Sequence, residues 1–233
     1  MAVYLLVPGA WLGGWCWRDV ASHLRADGHT VLPATLTGLG ERAHLLSPHV
    51  GLHTHVRDIV GLLQYRNLRD VVLVGHSYGG TVITAVAEQA ADRIRRLVYL
   101  DASVPRDGES NNDVVGPEIA RQLRSSAETG GEGWRVPPAA YVTERLPADL
   151  QAWVGQRLTP HPLRCFEEPV QLRSTSAAAL PRAFIRTTRS ALYDRLLGQA
   201  FDAGWYCREL SGGHYAMLTE PQATATALAG LPA

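Results

Sequence analysis

Short unbroken apolar runs alternate along this chain with longer stretches whose apolar positions recur at helical spacing. Val3 to Val7 is such a run, stopped by Pro8-Gly9, and it suits a strand buried on both faces. The spacing in WRDVASHLRA predicts a helix over 17–26, ending at Gly28, and Thr30 to Ala34 reads as a second strand. A Gly-rich loop, Thr37-Gly38-Leu39-Gly40, follows. Val56, Ile59, Val60 and Leu63 fall on one face of a helix expected over 56–65. DVVLVG (70–75) is the clearest buried strand, 78–91 a helix of small residues, and RLVYLD (96–101) another strand. The alternation stops after Pro105 and returns with strands at 183–188 and 205–210 and helices at 191–203 and 221–231. Strands alternating with helices of this length imply an α/β fold with a doubly wound, mostly parallel sheet of about six strands. Residues 1–105 and 183–233 would form that core. The proline-rich segment 106–182 would be a helical cap inserted into it, all within a single structural domain.

Composition narrows the chemistry. The chain has 233 residues, 46% of them hydrophobic and 19% charged, enough to bury a real core. A formal net charge of zero offers no basic field for nucleic acid or an anionic membrane surface. Every basic residue is arginine, so Schiff-base chemistry on a lysine is excluded. Cys16, Cys165 and Cys207 are odd in number and widely spaced, which argues against a disulfide framework. No signal-like start and no apolar run of eighteen residues occurs, so a cytoplasmic protein without a membrane span is expected.

Two motifs carry chemistry. Gly75-His76-Ser77-Tyr78-Gly79 follows the strand DVVLVG and precedes a helix, the setting of a G-x-S-x-G nucleophile elbow. Its glycines let the strained turn close, and the following helix aims backbone N–H groups at the site. His214, in SGGHYAM after the last strand, stands where an imidazole can reach back to Ser77 as general base. His53 and His55 lie two apart and face different directions on a helix, so no metal site is expected from them. His23, His29, His49 and His161 read as surface or packing residues, and His76 as support for the elbow. No cofactor is implied.

With these landmarks the sequence resembles the α/β-hydrolase fold, and within it the plant methylesterases and hydroxynitrile lyases with their bacterial esterase relatives. VYLLVPGAWLGGWCW, LTGLGERAHLL, GHSYGG, YLDASVPRDGES, LTPHPL and GGHYAM carry the likeness, in order, over nearly the whole chain. The resemblance implies Ser77 as nucleophile, His214 as base, and an oxyanion hole from the backbone N–H groups of Ala10 and Tyr78. Gly9 stands where lyases of the group have threonine, and Tyr215 where they have lysine, which favours ester hydrolysis over cyanohydrin cleavage.

Two positions depart from the pattern. Pro8-Gly9 replaces the usual His-Gly, and proline lacks an N–H and fixes φ. The loop after FIRTT, where relatives carry the acid of the triad, reads Arg189-Ser190-Ala191. Asp101 at the end of RLVYLD can take over that role; Asp194 or Asp202 on the next helix would have to point backward; or no acid is present. The expected function is a serine hydrolase of a small carboxylic ester or thioester, acting through an acyl-enzyme. The alternatives are a lyase, dehydratase or cyclase on a polyketide-like substrate, and a silent ligand-binding protein. Trp11 and Trp15 beside the oxyanion loop, with Trp134 and Tyr215, are the expected pocket residues for an apolar or aromatic small molecule. Tyr141, Trp153, Leu158 and Phe166 are further lining candidates from the cap.

Overall fold

In the computed structural model, which describes residues 1–232, the continuous apolar runs become the centre of one sheet. β1 (Val3–Val7), β2 (Thr30–Pro33), β3 (Val71–Ser77) and β4 (Ile94–Ala102) come from the first half of the chain. β5 (Arg135–Val136) and β6 (His161–Pro162) form a small separate antiparallel ribbon. β7 (Arg182–Thr187) and β8 (Tyr206–Leu210) complete the main sheet, whose order is β2-β1-β3-β4-β7-β8 with every neighbouring pair parallel. β3 and β4 lie in the middle. That is why their side chains are apolar on both faces: Leu73, Val74, Leu97, Val98 and Leu100 have no exposure at all.

The crossovers place helices on both faces of the sheet, as parallel connections require. α1 (Arg18–Ala26), α2 (Leu52–Tyr65) and α3 (Gly79–Ala90) follow β1, β2 and β3. Between β4 and β7 run α4 (Asn111–Val115), α5 (Pro117–Gly130), α6 (Tyr141–Glu144), α7 (Ala148–Gly155), α8 (Arg164–Glu167) and α9 (Thr175–Ala178). α10 (Asp194–Asp202), α11 (Ala216–Thr219) and α12 (Pro221–Ala229) close the chain. α1 packs on α12 and α2 on α3, so each face carries its own layer. No helix among the described residues is long and apolar enough to cross a membrane.

Two differences from the sequence reading have physical causes. α2 begins at Leu52 rather than at 56, because Leu52 and His55 are both fully buried and extend its inner face. A histidine counted as polar had cut that face short. β4 runs past its expected end and is irregular there: His76 pairs with Leu100 but Ser77 pairs with Ala102, which leaves Asp101 bulged out of the ladder.

The sheet's centre should dominate stability. Phe184 on β7 is wholly buried whereas Phe201 on α10 is 73% exposed. Phe184→Ala is expected to cost about 3–5 kcal/mol in urea unfolding, and Phe201→Ala no more than about 0.5 kcal/mol. Equal losses at the two positions would contradict this placement of the core.

Candidate active site

Strands that all point the same way deliver their C-terminal ends to one edge, where the loops of an open α/β sheet converge. At that edge lies a cavity of about 510 Å³ bordered by Ala10 after β1, Ser77 and Tyr78 after β3, Ser190 after β7, and His214 and Tyr215 after β8. Residues expected to work together, but far apart in sequence, thus border one space.

Ser77 has a left-handed backbone, φ 53°, which a non-glycine residue adopts only when its surroundings force it. The turn closes because its flanks lack side chains. A Cβ at Gly75 would sit 2.5 Å from the Gly79 carbonyl oxygen, and one at Gly79 2.8 Å from that of Pro8. α3 begins at Gly79, directing its N-terminal amides toward the same point.

One of the candidate acids meets the histidine at the bulge. Asp101 is fully buried, has φ 42°, and its Oδ2 lies 2.6 Å from His214 Nδ1. Burial pushes the Asp101 carboxyl up, but the His214 imidazole, helped by the Ser190 hydroxyl and by His76, more than offsets this and leaves it lowered. Ser190 faces the carboxylate without closing a hydrogen bond of normal length, and Asp101 Oδ1 has no partner. Asp194 is paired with Arg186 at 2.6 Å, and Asp202 ends α10 on the surface; neither borders the cavity. With Nδ1 engaged, His214 has only Nε2 to offer Ser77. Burial pushes the Tyr193 phenol up to about 12, with the Ser103 and Ser77 hydroxyls acting against it.

His76 does more than fill the elbow. Its Nε2–H donates to the His214 carbonyl at 2.9 Å and so pins the loop that carries the base. Burial, aided by the neighbouring His214, lowers its pKa to about 3, so it stays neutral. On the other side of Ser77, no turn, loop or side-chain hydrogen bond among the described residues uses the amide N–H of Ala10 or Tyr78, and both residues border the cavity. Pro8 therefore leaves the Ala10 donor free. Gly9 is required by close approach: a Cβ there would meet His76 Nδ1 at 2.8 Å and Ser77 Cβ at 2.9 Å.

The pocket walls correct part of the sequence reading. Trp11, Tyr215, Tyr141 and Phe166 line the cavity, but Trp15, Trp134, Trp153 and Leu158 do not. Trp15 lies on a 3₁₀ turn that turns its ring to Trp153, edge-on at 5.3 Å. The Trp134 indole N–H reaches Glu132, and the guanidinium of Arg135 sits 5.6 Å from its ring centre. Proximity in sequence to the oxyanion loop did not fix side-chain direction. Among the lining residues that were missed are Tyr193 and Asn111. Ser103 Oγ lies 3.1 Å from the Tyr193 hydroxyl and 2.8 Å from Asn111 Oδ1. Tyr193 lay in a helix pattern two residues after the acid-less loop, and nothing in its spacing marked it.

A second group of chemical side chains lies behind Tyr78. His55, His161 and Cys165 are buried, with one donor atom from each within 4.8 Å of the others, a spacing open to a metal ion. Both nitrogens of His55 and Nδ1 of His161 already hold hydrogen bonds. Both histidines are wholly buried and pack on Tyr78, which borders the cavity.

Comparison with known proteins agrees with this architecture. Residues 4–227 match the model of the alpha/beta hydrolase family. The chain is 38% identical to a carbendazim hydrolyzing esterase of Nocardioides sp. (strain SG-4G), across 99% of this chain and 100% of that protein. It is 27% identical to a pFDCC methylesterase of Arabidopsis thaliana, over 87% of this chain and 82% of the relative. Among solved structures, an extracellular alpha/beta-hydrolase from a Paenibacillus species superposes with a TM-score of 0.86. At 24% identity and 98% coverage of both chains, that likeness speaks for the fold.

The buried histidines make stability depend on pH in a defined direction. Burial lowers His55 to about 4, His76 to about 3 and His161 well below 6.5. Because the folded values lie below the unfolded one, the unfolded chain takes up the protons. This stabilisation is complete above about pH 6.5 and is lost as pH falls toward the folded values. Urea midpoints measured from pH 7 down to pH 4 should drop, with close to three protons taken up on unfolding near pH 5. A stability unchanged between pH 7 and pH 5 would contradict the burial of these rings.

Proposed function

The chain belongs to the alpha/beta hydrolase family, and we propose that it hydrolyses small carboxylic esters through an acyl-enzyme formed on Ser77. It is an enzyme, and its named relatives are esterases and hydrolases. The observation that carries the proposal is the 2.6 Å contact between His214 Nδ1 and Asp101 Oδ2 beside the elbow. The non-hydrolytic and ligand-binding alternatives drew weight from a loop without an acid and from Pro8 in the oxyanion loop; the carboxylate on the imidazole supports hydrolysis over them.

The steps follow from the groups present. Ser77 Oγ attacks the carbonyl carbon while His214 Nε2 takes its proton. The carbonyl oxygen becomes an oxyanion that accepts from the Ala10 and Tyr78 amides, each such donor being worth about 10²–10³ in turnover. Asp101 holds the tautomer with the proton on Nδ1 and stabilises the imidazolium that forms. Collapse of the tetrahedral intermediate breaks the bond to the alcohol oxygen, which leaves with the proton from Nε2. Water then repeats the sequence on the acyl-enzyme, releasing the acid and restoring Ser77. Trp11, Tyr141, Phe166 and Tyr215 around the cavity support an apolar or aromatic substrate. The tight space at Gly9 has no room for the threonine of the lyase group, which supports ester cleavage.

Treatment with a fluorophosphonate, followed by mass spectrometry, tests the nucleophile. Rapid labelling at Ser77, abolished in Ser77→Ala and slowed strongly in His214→Ala, is the expected result; an unlabelled, folded protein would remove the proposal. Asp101→Asn should lower kcat on p-nitrophenyl acetate by about 10⁴, and an unchanged kcat would strip Asp101 of its role.

A further inference from the structure

Two buried histidines accept hydrogen bonds from the segments that present the oxyanion donors, one from Tyr78 itself and one from Trp11, the residue after Ala10. Behind Tyr78, His55 Nδ1 lies 3.0 Å from the phenol oxygen, and His55 Nε2 lies 2.9 Å from the Thr37 carbonyl. A carbonyl only accepts, so Nε2 carries the proton, Nδ1 is the acceptor, and the Tyr78 hydroxyl donates to it. Thr37 is itself fixed, its N–H and hydroxyl bonded to Asp58 at 2.7 and 2.8 Å. Behind Ala10, the N–H of Trp11 donates to His161 Nδ1 at 3.3 Å. Trp11 has φ 63°, a conformation that tryptophan holds only under constraint. Two more bonds hold it: its indole N–H donates to the Val136 carbonyl at 3.0 Å, and its own carbonyl accepts from Thr159 at 3.1 Å. Val136 and His161 pair across the β5–β6 ribbon, so one small ribbon grips the oxyanion loop from above.

The two anchors touch each other. His161 meets the Tyr78 ring edge-on at 4.9 Å and stacks on Phe166 at 4.6 Å. Holding the Trp11 amide with Nδ1 leaves His161 Nε2–H buried without a partner, a cost that phenylalanine at 161 would avoid. Plain packing does not account for a histidine there. We propose that His55 and His161 are positioning residues of the oxyanion hole: His55 holds Tyr78 by its phenol and His161 holds the Ala10–Trp11 turn. Together they aim two backbone N–H groups from separate strands at one point. This rests on the acyl-enzyme reading above, since it is the oxyanion that the two amides serve.

The test uses His55→Phe, His161→Phe and Tyr78→Phe in the full-length enzyme, with active sites counted by fluorophosphonate titration. Per titrated site, kcat on p-nitrophenyl acetate should fall about tenfold to a hundredfold in each variant, with KM within about twofold. Affinity for phenylboronic acid should weaken in parallel. Its boron takes Ser77 Oγ as fourth ligand while the serine proton passes to His214, and one boron hydroxyl then occupies the oxyanion position. His55→Phe/Tyr78→Phe together should be no worse than either alone, because both remove the same bond. Folded variants with unchanged kcat and boronate affinity per site would overturn the proposal, as would fully additive losses. A merely structural role would instead lower the melting temperature and the number of titratable sites. Stoichiometric zinc in the purified protein would also overturn it, by making the histidines ligands. A wild-type protein that takes no fluorophosphonate would remove the acyl-enzyme reading itself, and this proposal with it, whereas a labelled wild type with indifferent variants removes this proposal alone.

Discussion

A carboxylate wholly shielded from water stays ionised only if a charge or hydrogen bonds replace its hydration. Asp101 has no exposure, one short bond to His214 and one oxygen without a partner. Much of the site follows from meeting that demand. β4 must bulge to turn the carboxylate out of the ladder toward the cavity edge. The His214 loop must be held at the right height, and His76 does so through the His214 carbonyl. His76 must in turn remain neutral, since a second cation beside His214 would compete for the same carboxylate; burial ensures it.

The serine in place of the usual acid then has a physical meaning. Ser190 is buried, borders the cavity and faces Asp101 closely enough to lower its pKa. A carboxylate at that position would bring two like charges to one imidazole, and one of them would take up a proton. One acid per site is the stable arrangement, whichever strand supplies it. With Asp101 reaching the imidazole from the bulge in β4, position 190 is left to a hydroxyl.

Which parts of this were legible in the sequence depends on what sets each of them. Strands buried on both faces write themselves as apolar runs, so β1, β3, β4 and β7 could be read with boundaries off by a residue or two. The place of Ser77 on a strand-to-helix turn was legible because such a turn needs glycines at set offsets, and that of His214 at the same edge because its Gly-flanked loop follows the last strand. The acid stayed open among Asp101, Asp194, Asp202 and none, because a one-residue slip of register between neighbouring strands leaves no mark in composition or period. The direction of a ring is equally silent: Trp11 and Trp15 sit four residues apart, yet one lines the cavity and the other turns to Trp153. His55 and His161 were invisible as a pair because a contact across 106 positions is made by the fold alone.

Strain is distributed in this molecule with a pattern of its own. Among the described residues, six non-glycine positions have left-handed backbones: Trp11, Asn67, Asp70, Ser77, Asp101 and Glu132. Asn67 and Asp70 lie in the turn that leads into β3, where short polar side chains tolerate that conformation. Trp11, Ser77 and Asp101 instead lie just beyond or at the ends of β1, β3 and β4, three adjacent strands. Each such residue costs about 1–3 kcal/mol and persists only where its surroundings over-determine it. Those surroundings are the rigid centre of the sheet below and, for Trp11, the ribbon above. A site assembled from strained residues on a rigid sheet does not have to reorganise its dipoles when charge develops on a substrate oxygen. The stability that the apolar strands supply is what lets their ends remain strained, and those ends are where Trp11, Ser77 and Asp101 all stand.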